Sequence, residues 1–137
     1  MKNLYRRDSF RDYFPMPNEI FSLGLSCGEI AVYAYLMRCE ERETFQCHPS
    51  YRTIGGTLHM SENTVRKYVA SLERYGLICT ESTQVITQAG LKRNGSLRYT
   101  ILPIRNAVDL FHDRQMEQLE LTVARQQVQE KTGRRCT

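Results

Sequence analysis

The sequence predicts a mainly helical α+β domain with a separate amphipathic helix at its C-terminal end. Three observations carry this. Serine caps open three helical apolar patterns between residues 26 and 75. After Leu77 the composition turns β-branched and alternating, which reads as a hairpin. Residues 105–130 return to a helical period, now strongly polar. The 137 residues are enough for one domain with a core plus one appended element.

Taken in order, residues 1–19 form a polar arm. Pro15 and Pro17 keep its end extended. Ser26 and Glu29 have capping-box spacing, and Ile30, Tyr33, Ala34 and Met37 repeat on one side, so a largely buried helix is expected over about 26–40. EERET (40–44) reads as a loop, and FQCHPS (45–50) holds a short strand before Pro49. Ser50 caps a second helix, YRTIGGTL, in which each glycine costs roughly 1 kcal/mol relative to alanine. His59-Met60 makes a turn, Ser61 caps a third helix over 62–75, and Gly76 stands where a C′ glycine ends it. The hairpin spans about 79–102, with LKRNGS as a long basic tip carrying Asn94-Gly95. The domain is thus expected over 20–104, the last helix over 105–130, and a disordered tail over 131–137.

Composition narrows the function. Hydrophobic residues make up 41% and charged residues 25%, ordinary for a globular chain. No apolar run approaches the roughly 18 residues that would span a bilayer. MKNLYRRDSFRDYF has no apolar stretch of the kind an export signal needs, so the expectation is a cytoplasmic protein without a membrane partner. The five cysteines are odd in number and lack C-x-x-C spacing, which reads as reduced thiols. Cys39, Cys47 and His48 do not make up a four-ligand zinc set. His48, His59 and His112 are scattered, with no paired carboxylate or nucleophile beside them. Neither an enzyme nor a cofactor is expected.

The net charge of +4 is unevenly placed. Residues 1–49 hold six Lys/Arg and seven Asp/Glu, residues 50–105 hold eight and three, and residues 106–137 hold five of each. The excess lies in the segment of the second and third helices and the hairpin, which suggests a polyanionic partner. On a wheel of about 100° per residue, Val65, Tyr68, Val69 and Leu72 share one sector of the third helix. Asn63, Lys67, Ala70 and Arg74 oppose them, with Arg66 at the edge. Arg and Lys donate to guanine in the DNA major groove, Asn pairs with adenine, and a small residue permits close approach. Ser61 at the N-cap leaves backbone N–H groups for a phosphate. Lys92, Arg93, Asn94 and Arg98 suit phosphates or a minor groove.

Helix, turn, helix, basic hairpin is the winged-helix order. LSCGEIAVYAYLMRC and CHPSYRTIGGTLHMSENTVRKYVASLERYGLI resemble the winged helix-turn-helix domains of bacterial regulators and plasmid-type replication initiators. The strongest part runs from Ser61-x-x-Thr64-Val65 to Leu72-Glu73-x-x-Gly76-Leu77-Ile78, and the resemblance covers about 20–103. YFPMPNEIFSLGLSCGEIAVYAYL is also similar to the opening of small helix-turn-helix proteins of Firmicutes mobile elements. Gly55-Gly56 departs from the pattern, which has a good helix former there. The resemblance implies that Ser50 and Thr53 sit near phosphates and that Ser61, Asn63, Thr64, Arg66 and Lys67 are recognition-helix contacts. It places Arg93, Asn94 and Arg98 in the wing.

The expectation is a sequence-specific binder of double-stranded DNA, a transcriptional regulator of a mobile element. The alternatives are a replication initiator on origin DNA and, in another class, a winged-helix protein-interaction module. His112, Met116, Leu119, Val123 and Gln126 are spaced 4, 3, 4, 3, a heptad seam that suggests a homodimer. The competing arrangement folds that helix back on the first helix, burying Phe111, Leu119 and Val123.

Overall fold

The structure, a computed structural model, describes residues 12–86 and 92–135; side chains at 84–86, 92–96 and 132–135 are outside the description. Helix α1 is Cys27–Cys39, strand β1 Gln46–Cys47, α2 Tyr51–Leu58, α3 Glu62–Arg74, β2 Ile78–Ile86, β3 Lys92–Ile101 and α4 Ile104–Arg135. The strands form one antiparallel sheet in the order β1-β3-β2. This is a winged helix-turn-helix with a C-terminal helix, mainly α.

The helices start where their caps dictate. Ser26 accepts the amide of Glu29 while the Glu29 carboxylate takes the Ser26 N–H, a complete capping box. Ser50 and Ser61 cap α2 and α3 through the amides of Thr53 and Thr64. Gly76, at φ +76°, ends α3 in the left-handed region, and the amides of Gly76 and Leu77 close the last turn on Glu73 and Leu72. The first turns of α4 lie over this corner, with Ala107 buried and Leu110 in contact range of Gly76.

One core joins these elements. Val32, Tyr33 and Leu36 from α1 meet Ile54 from α2, Val65, Val69 and Leu72 from α3, and Leu77, Ile78, Tyr99 and Ile101 from the sheet. A 3₁₀ turn over Asn18–Ser22, opened by Pro17, adds Ile20 and then Leu23, both buried. The turn includes Asn18 and Glu19, which the sequence pattern puts in the arm; both are exposed, and the core begins at Ile20. Residues 1–11 lie outside the described residues.

Two further expectations are corrected. Lys92, Arg93 and Asn94 are not a hairpin tip: they pair with Ile86, Val85 and Gln84 inside the β2–β3 ladder. Between the pairs Ser82–Leu97 and Gln84–Asn94 the register shifts, with one more residue on β3 than on β2. Asn94-Gly95 thus stands at a β-bulge, the other position in a strand where glycine is at home. The connection, residues 87–91, lies outside the described residues. At the C-terminal end α4 does not stop near 130 but runs to Arg135, so the expected tail is helical over 131–135. The fold-back alternative also fails: Leu119 is 57% and Val123 45% exposed, and the apolar packing of α4 on the domain ends at Phe111.

Candidate nucleic-acid interface

Helices α2 and α3 are joined by a turn that depends on two residues. His59 adopts the left-handed conformation, φ 57° and ψ 46°, as the C-cap of α2. The amide of Met60 then returns to the carbonyl of Gly55 at 2.9 Å. Gly55 is buried, and a Cβ there would stand 2.5 Å from the Met60 carbonyl oxygen. The glycine pair therefore does not loosen α2; Gly55 is what lets the chain cross so closely behind it.

Beyond the turn, α3 is divided cleanly. Val65, Val69 and Leu72 are buried, while Asn63, Arg66, Lys67 and Ala70 are exposed. Tyr68 is half-buried against Gly28 at the start of α1, where a side chain would collide with its ring. Arg66 does not wave freely: its guanidinium lies 5.7 Å from the centre of the Tyr51 ring, at the first turn of α2. Tyr51 is in turn partly buried, which raises its phenol pKa despite the opposing pull of Arg66. The charge of Arg66 is thus held at the junction of α2 and α3. Sequence reasoning missed Tyr51 because the two residues lie on different helices and no local pattern links them.

The two helix starts also converge in type. The Ser50 hydroxyl lies 2.9 Å from that of Thr53, and the Ser61 hydroxyl 2.8 Å from that of Thr64. Each serine oxygen already accepts an amide, so Ser50, Thr53, Ser61 and Thr64 act first as caps. What each start offers outward is its first backbone N–H groups and the positive end of its dipole. Exposed Arg52, on the first turn of α2, adds a cation that no motif in the sequence singles out.

The wing is a long ribbon. Ile78 pairs with Ile101 at its base and Ile86 with Lys92 at its far end, about 27 Å away at strand rise. Lys92, Arg93 and Asn94 lie at that far end. Arg98 lies nearer the base and forms an ion pair with Glu81, its cross-strand neighbour, at a partly exposed site. Its charge is therefore partly compensated, unlike those of Arg66 and Lys67. Arg74 is exposed at the end of α3, where its carbonyl accepts a bond from Arg114 of α4 at 2.9 Å.

Cys27, Cys39, Cys47 and Cys79 are free thiols. Burial pushes Cys47 up to about 12, aided by the nearby Cys39 and Glu40. Among the described residues no group of three His, Cys, Asp or Glu is placed to hold a metal ion. No helix among them is long and apolar enough to cross a membrane.

A family described as "Helix-turn-helix domain" matches residues 23–78. A search of curated protein sequences gives no match. Among solved structures the chain is similar to a possible transcriptional regulator from Methanosarcina mazei Go1, at 16% identity and TM-score 0.48, over 77% of this chain and 82% of that one. It is also similar to a MarR family transcription regulator, at 18% identity and TM-score 0.42, over 83% and 73%. A third likeness is to MepR of S. aureus in a DNA complex, at 14% identity and TM-score 0.41, over 83% and 85%.

Proposed function

We propose that the chain is a sequence-specific double-stranded DNA-binding protein acting as a transcriptional regulator, with α3 as its recognition helix. The observation that carries this is the division of α3. Its buried side fixes the helix on the core, and its exposed side presents Asn63, Arg66, Lys67 and the small Ala70 together. A helix of this width enters the major groove, where those groups match base edges and phosphates. The N-terminal turns of α2 and α3 supply backbone donors for phosphates, and Lys92, Arg93 and Asn94 at the far wing reach along the duplex. Arg98 contributes less, because Glu81 already compensates part of its charge. The proposal extends to a cytoplasmic protein carried by a mobile element.

Two copies pair through α4, whose outer turns expose Met116, Leu119 and Val123. A single winged helix reads only a few base pairs, and pairing doubles the site. Binding to random duplex DNA over a salt series, followed by selection from a random pool, tests the proposal. The expected result is salt-sensitive non-specific binding and a selected site with two related halves. Absence of any DNA binding at low salt would return the fold to a protein-interaction module.

A further inference from the structure

We infer that two copies of α4 pair antiparallel, centred on Leu121; the inference rests on the dimer reading above. The seam positions His112, Met116, Leu119, Val123, Gln126 and Glu130 all lie on the exposed outer part of the helix. In an antiparallel coil each a position faces a d position of the other helix. Centred on Leu121, this layering sets Leu119 against the partner's Val123 and Met116 against the partner's Gln126. His112 then faces the partner's Glu130, a donor facing an acceptor, and every layer occurs twice. Parallel pairing would instead set His112 on His112 and Glu130 on Glu130, with like charge facing like.

The charge along the helix points the same way. Residues 105–120 carry two arginines and four carboxylates, whereas residues 121–135 carry four cations and one carboxylate. Antiparallel pairing lays the acidic half of each helix over the basic half of the other. The helix dipole does not account for this asymmetry, because its influence is confined to the first and last turns. Glu117, Glu120 and Arg125 are several turns from either end. One contact opposes the pairing: Glu120 of each chain flanks the twofold axis beside its own copy.

The geometry has a consequence for spacing. The two copies of Phe111, which packs α4 on its own domain, fall about 30 Å apart along the paired helices. Parallel pairing would bring them to about 10 Å.

A double-mutant cycle on the full chain tests this, read as the dimer dissociation constant by sedimentation equilibrium. His112→Ala and Glu130→Ala change exposed residues, so the fold is unaffected. Each is expected to weaken the dimer on the order of fivefold, and the double variant no more than either alone. Glu120→Gln is expected to tighten the dimer, because it removes the repulsion at the axis. Independent, multiplying losses at residues 112 and 130 would overturn the antiparallel arrangement and leave a dimer of another geometry. A chain that stays monomeric at millimolar concentration would overturn the dimer itself.

Discussion

Gly55 and Gly56 stand side by side in α2 and have opposite roles. A Cβ on Gly55 meets the Met60 carbonyl, whereas a Cβ on Gly56 meets nothing within 4 Å. Gly55→Ala is therefore expected to destabilise the fold by about 1–3 kcal/mol through overpacking. Gly56→Ala is expected to stabilise it by roughly 0.5–1 kcal/mol, because an exposed helical glycine gives up backbone entropy. Thermal melts of both variants check this; shifts of the same sign would contradict the placement of the turn. Burial makes a second prediction at this scale. Burial raises Cys47 from 9.0 to about 12 and, with Glu40 nearby, Tyr33 from 10.0 to about 12. Both groups are neutral when protonated, so the native state keeps protons that the unfolded chain loses. Their contribution is complete below about pH 9 and is lost as pH rises through 12. Denaturant midpoints across that range should fall, and alkylation at pH 8 should modify exposed Cys27 and Cys79 before Cys47.

At the scale of elements, the helices are readable from sequence because their starts and stops are local. Ser26, Ser50, Ser61 and Gly76 each act on neighbours within a turn, and the structure places α1, α2 and α3 accordingly. The wing is readable as a hairpin but not in its register. Asn94-Gly95 satisfies a tight turn and a bulge equally well, and only the pairing of Ser82 with Leu97 decides between them. That pairing also sets Arg98 against Glu81, which no spacing in the sequence announces. The turn at Asn18–Ser22 leaves no sequence signal because a single 3₁₀ turn is too short for a period to show. The exposed polar face of α3 is legible from the wheel, but its anchor is not: Arg66 rests on Tyr51 across two helices. Tyr51→Leu is expected to keep the fold and lower DNA affinity severalfold, by freeing the guanidinium. An affinity equal to that of the original chain would show that the ring does not position Arg66.

At the scale of the molecule, α4 divides into two parts. Its first turns, through Ala107 and Phe111, belong to the core of the domain, Arg114 still bonds to the Arg74 carbonyl, and the turns beyond are exposed. Under the proposed pairing, removing residues 116–137 should leave a folded domain that runs as a single truncated chain. Under the same proposal, the truncated chain should still bind DNA, but to half-sites and more weakly. Underneath both lies the claim that α3 carries DNA recognition through Arg66 and Lys67. Its most direct test is the salt dependence of binding to the selected site for the full chain, Arg66→Ala and Lys67→Ala. Lys67→Ala should weaken binding to all sequences alike and lower the salt slope by about one unit for each phosphate it leaves unneutralised. Arg66→Ala should cost roughly 1–3 kcal/mol, concentrated at particular base pairs. Unchanged affinity and an unchanged slope in both variants would contradict the assignment of α3 as the recognition helix.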